Sequence, residues 1–295
     1  MTMTRPAPLW RSMLYVPATA DRFVAKAADR GADAVILDLE DSIPPSEKQA
    51  AREALPRAIA TVGGKGTDVI VRINRPWRLA VADMEVAVVA GVDALCLPKV
   101  DSADHIAAVD EVVEELEQER GLPLGQMRYA VLIETAKGIE NAREIAKASP
   151  RIEAMTAGGE DLSADLGMPE ADQDELAVFD AMVRLAAREA GVIPLGYRAS
   201  IAEFTDLDLF RKGAMEGRKI GTEGGMAIHP AQVPILNEAF SPTTAEIEHA
   251  EGLLQTFDEA LAKGLGVVNY KGKMIDKPIV DRARRVLAIR DRLIG

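Results

Sequence analysis

Residues 35–45 read VILDLEDSIPP. Val35, Ile36 and Leu37 make an apolar run that leads into Asp38, Glu40 and Asp41. Ser42, Pro44 and Pro45 then end it. A short apolar run closed by turn residues reads as a buried strand. Three carboxylates at its end raise each other's pKa and oppose folding. One reading is a solvated turn whose acids cap a helix. The other is a site that gathers acids for chemistry, and the rest of the chain decides between them.

The same pattern recurs along the sequence. SMLYVP (12–17), AVILDL (34–39), DVIVRI (68–73), DALCLP (93–98), YAVLIE (129–134), IEAMTAG (152–158), VIPLGY (192–197) and MAIHP (226–230) are short strand-like runs. Helical patterns lie between them. DHIAAVDEVVEELEQER places Ile106, Val109, Val113 and Leu116 at helical spacing, and ELAVFDAMVRLAAREAG closes on Gly191. Such alternation predicts an α/β fold, a (β/α)8 TIM barrel over residues 1–238. The competing arrangement, a doubly wound open sheet, calls for a glycine-rich fingerprint after the first strand, and VPATADRF is not one. Residues 239–295 break the rhythm. TTAEIEHAEGLLQTFDEALAKG is an amphipathic helix, GVVNYKGKMIDKP a hairpin around Lys271-Gly272, and PIVDRARRVLAIRDRLI a last helix. We expect this C-terminal segment to act as a lid or a subunit contact.

Composition narrows the function classes. The chain has 295 residues, 48% hydrophobic but only 4% aromatic, with a net charge of −12. An acidic balance argues against a nucleic-acid or anionic-membrane partner. An anionic substrate would have to be gripped by a few local Arg or Lys side chains. The single cysteine, Cys96, sits in an apolar run and cannot form an internal disulfide, which suits a reducing, cytoplasmic setting. No apolar run approaches the roughly 18 residues of a membrane span, and MTMTRPAPLWRS lacks the apolar core of a signal peptide.

In a barrel of this kind the active site lies at the C-terminal ends of the strands. Those ends deliver Asp38, Glu40 and Asp41; Arg72 and Asn74; Pro98 and Lys99; Glu134 and Lys137; Gly158, Gly159, Glu160 and Asp161; and His229. Several carboxylates with few histidines suit a hard, oxygen-seeking cation such as Mg2+. A bound cation would also offset the repulsion among the acids. Glu134 and Asp161 end consecutive strands and make a plausible ligand pair. Arg72 reads either as the partner of a strand-end acid or as a grip on substrate oxygens. Gly158-Gly159 reads as a plain turn or as backbone that lets N–H groups approach a carboxylate. Lys99 and Lys137 stay open between surface charges and phosphate contacts. His229 and Cys96 read as structural. Ser12 and Ser163 have no histidine nearby in sequence, so a hydrolase triad has no support.

The motifs RSMLYVPA, GADAVILDLEDS, VRIN, LPKV, LIETAKGIENA, AGGEDLSADLG, AIHPAQV and MIDKP occur here in one order. That order resembles the citrate lyase β-subunit-like proteins, which stand with the malyl-CoA and citramalyl-CoA lyases in the HpcH/HpaI aldolase superfamily. The resemblance runs from Arg11 to about Arg285. It implies a barrel with a C-terminal lid and carbon–carbon cleavage or formation in a short 3-hydroxyacyl-CoA thioester. The products would be acetyl-CoA, or another short acyl-CoA, and an α-keto acid. Mg2+ is the implied cofactor, with Mn2+ as a substitute, held by Glu134 and Asp161. Arg72 would meet substrate oxygens, and Asp38 and Asp41 would meet the metal's waters. Gly158, Gly159 and Glu160 would line the substrate, while Arg11, with Arg22, would meet the thioester carrier. Asp276 resembles a lid aspartate that reaches a neighbouring subunit, which implies a homotrimer or hexamer. Gly224-Gly225 stands where the family usually has a glycine-lysine pair, and Ala18 stands where a glycine is common. Thioester hydrolysis on the same site, a citrate lyase subunit acting on a carrier-protein thioester, and a non-catalytic binding module are the other readings.

Overall fold

The computed structural model describes residues 7–170, 174–262 and 264–294. The chain divides into two compact units, one ending at Phe240 and one beginning at Ser241.

The first unit is built on eight parallel strands: β1 (Ser12–Pro17), β2 (Ala34–Asp38), β3 (Asp68–Arg72), β4 (Ala94–Leu97), β5 (Arg128–Ile133), β6 (Ile152–Ala157), β7 (Ile193–Pro194) and β8 (Gly225–Ala227). Their order in the sheet is β7-β6-β5-β4-β3-β2-β1-β8. From β1 to β7 each strand pairs with its neighbour in sequence, and β8 returns to pair with β1. An order that never reverses has no switch point, which excludes the doubly wound alternative. The sheet curls, and two backbone hydrogen bonds join its ends. Glu223 N–H donates to Pro194 O and Gly196 N–H donates to Gly224 O, both at 2.9 Å.

Strand residues alternate between two apolar layers, as the period of two requires. Ala34, Ile36, Ile70, Ala94, Cys96, Ala130, Leu132 and Ala154 form the inner cluster. Val35, Leu37, Val69, Val71, Leu95 and Val131 belong to the outer cluster, which the helices cover. With both faces buried, the strands read as unbroken apolar runs rather than alternating ones. The helices follow the sequence closely. Ala103–Glu119 starts on a Ser102 cap whose hydroxyl accepts from His105 N–H, and Ala177–Ala190 ends on Gly191 in the left-handed conformation.

Strands β7 and β8 are shorter than the sequence predicts. The strand expected to run on to Pro230 stops at Ala227 because the Gln232 side chain takes the N–H groups of Ile228 and His229, at 2.9 and 3.0 Å. Pro230 has no N–H to give.

In the second unit, the helix Thr244–Leu261 opens on a capping box between Thr243 and Glu246. The hairpin pairs β9 (Val268–Tyr270) with β10 (Lys273–Ile275). Its two turn residues, Lys271 and Gly272, both take positive φ, at 49° and 80°. This is the tight turn whose twist matches that of the strands. The helix Lys277–Ile294 packs on the first through Ala250, Leu253, Val280 and Ala283.

Candidate active site

Strand parity carries the inner layer up into a cluster of charge. Two residues beyond Ile36 comes Asp38, two beyond Ile70 comes Arg72, and two beyond Leu132 comes Glu134. Tyr15 follows Met13 in the same way, and Gly158 stands four residues past Ala154. All five line a cavity of about 450 Å³ at the C-terminal ends of the strands, together with Asp161.

Arg72 stands opposite Asp38 in the β2–β3 register. Its Nε and Nη2 donate to the two oxygens of Asp38, each at 2.7 Å, and its Nη1 lies 2.9 Å from Glu40 Oε2. The Tyr15 ring covers the guanidinium, with the centroid 4.6 Å away. Asp38 also accepts from the N–H groups of Glu40 and Ser42. Burial alone would raise its pKa, but the hydrogen bonds and charge of Arg72 win, and the carboxyl is held below its ordinary value. Lys48 closes this corner by donating to the carbonyls of Leu39 and Glu40.

Glu134 is 5% exposed. Its Oε2 accepts from Lys99 N–H at 2.8 Å. Lys99 presents that N–H from a left-handed backbone, φ 50°. Its ammonium lies 2.9 Å from Glu40 Oε1, 3.3 Å from Asp161 Oδ1 and 3.7 Å from Asp41 Oδ2. Glu134 Oε1 presses on Gly158, where a Cβ would overlap it. Burial, and next the charge of Asp161, push the Glu134 carboxyl up to about 8. Burial raises Glu40 as well, against the pull of Arg72 and Lys99. Two of the three acids of the opening stretch are therefore drawn out of solvent, and Asp41 alone stays exposed. Asp38 and Glu40 are buried, and their neighbours Arg72 and Lys99 come from other strand ends.

The other expected residues divide. Gly159 and Glu160 line the cavity, and Glu160 accepts from the Ser200 hydroxyl at 3.0 Å. Gly158 N–H is taken by Ile133 O, so this glycine provides close approach to Glu134 rather than a donor for a substrate. Asp38 is similarly spoken for. With its oxygens on Arg72 and two backbone N–H groups, it orients the guanidinium. Arg11 corrects the sequence reading outright. It precedes β1 and so lies at the opposite end of the strands, bound to Asp33 through Nε and Nη2 at 2.8 and 2.6 Å. Asn74 bonds to Leu39 O and Asp83, outside the cavity lining. Lys137 pairs with Asp101, and His229 stacks on Phe204. Ser12 donates to Asn237 and Ser163 to the carbonyl of Glu160, so neither serine meets a base. Asp276 is exposed between β10 and the last helix, in the second unit. Tyr15, Lys99 and Glu40 are the participants that sequence reasoning did not assign; the inward parity of β1 and β2 is the signal that marks two of them.

Among the described residues no three His, Cys, Asp or Glu side chains form a ready ligand set. Two mutually repelling carboxylates on one cavity wall nevertheless fit a hard divalent cation. Mg2+ commonly takes one or two protein carboxylates and leaves its remaining positions to water and substrate oxygens.

The sequence profile of the HpcH/HpaI aldolase/citrate lyase family matches residues 11–230, and the chain belongs to that family. It is 32% identical to the citrate lyase subunit beta of Leuconostoc mesenteroides subsp. cremoris, over 95% of this chain and 93% of that one. It is 37% identical to a (3S)-malyl-CoA thioesterase of Cereibacter sphaeroides, over 97% and 96% of the two chains. Among solved structures it resembles CitE from Mycobacterium tuberculosis in complex with magnesium, acetoacetate and coenzyme A. The TM-score there is 0.73 at 28% identity, covering 96% of this chain and 98% of that one.

Proposed function

We propose that this chain is a divalent-metal-dependent carbon–carbon lyase acting on a short 3-hydroxyacyl-CoA thioester of the malyl-CoA or citramalyl-CoA type. It yields a short acyl-CoA and an α-keto acid. The observation that carries the reading is the Glu134–Asp161 pair facing the Asp38-oriented guanidinium of Arg72 across one cavity. Glu134 and Asp161 would hold Mg2+, or Mn2+ in its place, which when bound acidifies the substrate hydroxyl and neutralises charge at the adjacent carboxylate.

The remaining work falls to the chain's own side chains. Asp38 fixes two of the Arg72 N–H groups, so the guanidinium is already oriented when the substrate arrives. Its outward N–H groups stabilise the negative charge that develops on the thioester oxygen as the carbon–carbon bond breaks. Tyr15 keeps water off the other face. Asp276 is our assignment for the group that moves the substrate proton, brought in by the C-terminal segment from a neighbouring copy of the chain in a trimer or hexamer. That segment, residues 239–295, then acts as lid and subunit contact to a closed (β/α)8 barrel of residues 1–238. A cytoplasmic location goes with this reading. Among the described residues no helix is long and apolar enough to cross a membrane.

A second reading, hydrolysis of the same thioester, is favoured by the 37% identity to the malyl-CoA thioesterase. One assay separates the two. The protein is incubated with Mg2+ and malyl-CoA, β-methylmalyl-CoA, the citramalyl-CoA stereoisomers or citryl-CoA, and keto acid and free thiol are followed in parallel. Keto acid without thiol, abolished by EDTA, supports the lyase, and thiol without keto acid replaces it with the thioesterase. Full lyase activity in both Glu134→Ala and Asp276→Ala would sink the assignment of roles.

A further inference from the structure

The lysine of the LPKV stretch touches more of the acid cluster than any residue the sequence analysis assigned. Its N–H holds Glu134, and its ammonium lies within 4 Å of Glu40, Asp41 and Asp161. Its carbonyl accepts from Arg75 Nε at 3.1 Å, which fixes the peptide from the other side. Its φ is 50°, a conformation that costs a non-glycine residue about 1 kcal/mol and a glycine almost nothing. A glycine would offer the same N–H to Glu134 without strain. The position instead carries a long cationic side chain that reaches across the rim to β2 and to the Gly159–Asp165 helix. At 28% side-chain exposure it is neither a solvated surface charge nor a sealed core pair.

The charges around it are unbalanced. Asp38, Glu40, Asp41 and Asp161 share two contacting cations, Arg72 and Lys99, and Glu134 stands beside them with only a backbone N–H donor. Arg72 is committed to Asp38 by paired hydrogen bonds. Lys99 is held by one close contact, to Glu40, and two longer ones, to Asp161 and Asp41. It is thus the cation that can let go of Asp161 while keeping Glu40.

We propose, building on the reading of Glu134 and Asp161 as the metal pair, that Lys99 is a positioning residue which competes with the divalent cation for Asp161. Without the cation, its ammonium steadies the acid cluster. When the cation binds, the ammonium withdraws to Glu40 and Asp41, and the like-charge repulsion that remains holds the site's affinity below what its carboxylates alone would give. The site is then one that loads and releases its metal readily.

The test is the affinity of purified full-length protein for Mn2+, read by the loss of free-ion electron paramagnetic resonance signal, with no substrate and no turnover. Lys99→Gln and Lys99→Asn are expected to bind Mn2+ about fivefold or more tightly than wild type, and Lys99→Arg within about twofold of it. Asparagine tolerates the left-handed backbone, so a folding failure confined to the glutamine variant leaves the answer with the asparagine one. The metal-free melting temperature should fall in both neutral variants and be restored by Mn2+. A merely structural lysine would weaken the site when removed, so unchanged or weaker Mn2+ binding in the neutral variants overturns the inference. If wild type itself takes up no Mn2+, the metal reading falls and this inference with it. If wild type binds and the variants match it, only the competition is lost.

Discussion

Two buried ion networks sit at opposite ends of the same sheet, and they are built to different rules. At the N-terminal ends, Arg151, just before β6, meets Glu117 with two hydrogen bonds of 2.8 Å. Glu117 also accepts from Gly125 and Met127 N–H, so each of its oxygens has two donors, and its side chain is 0% exposed. Tyr129 and Asp110 complete the group. Burial alone would raise the Glu117 carboxyl, but Arg151 and the two N–H groups pull it below its ordinary value. At the C-terminal ends, Glu134 has a single donor, Lys99 N–H, and no salt-bridge partner among the described residues, and it is pushed up to about 8 by burial and Asp161. The closed network is satisfied by the fold alone. The open one leaves Glu134 short of partners beside Asp161, a want that a cation can meet. A buried carboxyl that the fold leaves unsatisfied points to a ligand.

The sharpest way to break this contrast is to neutralise one acid at each end. Glu134→Gln should lower lyase turnover by about a thousandfold or more, by removing one of the two proposed metal ligands. Because it also relieves repulsion with Asp161, the metal-free melting temperature should not fall. Steady-state kinetics beside a thermal melt checks both halves. Glu117→Gln should do the reverse. Breaking a buried, fully bonded pair costs about 3–5 kcal/mol, read by urea unfolding, while turnover of the folded protein stays within about twofold of wild type. Gly158→Ala tests the open end without touching a charge. The methyl would displace Glu134 Oε1, so Mn2+ affinity should drop by about tenfold, as positioning losses at metal sites do. The smallest expected effect is in pH. A carboxyl depressed in the folded state contributes stability that is present above its unfolded value, near 4.5, and is lost as pH falls through the lower folded value. Wild type should lose stability over that window more steeply than Glu117→Gln, by at most about 1.4 kcal/mol per pH unit.

Much of this could be read from the sequence, and the rest was withheld for definite reasons. The eight runs from SMLYVP to MAIHP placed the strands because strands buried on both faces are unbroken apolar segments. Glu134 and Arg72 followed from the strand ends they occupy, and Asp161 from the helix that opens directly after β6. Arg11 went astray because it belongs to the motif of β1 but precedes the strand, and strand direction sends it to the far rim. Lys99 stayed undecided because nothing in LPKV announces a left-handed residue. Tyr15 was hidden as an ordinary apolar strand position, although counting by twos from Met13 points it inward. Strand β8 was read too long because a side chain five residues beyond its last residue, Gln232, ends it.

The seam between β7 and β8 carries a consequence of another kind. Two backbone hydrogen bonds hold it, against five paired positions between β1 and β2. Leu195, Gly196, Tyr197 and Met226, which flank it, also line the cavity. Asp38, Arg72, Lys99 and Glu134 stand at the ends of other strands. Heritable change in the shape of the cavity is therefore easiest along this one meridian, where a wall can be redrawn while Asp38, Arg72 and Glu134 stay as they are.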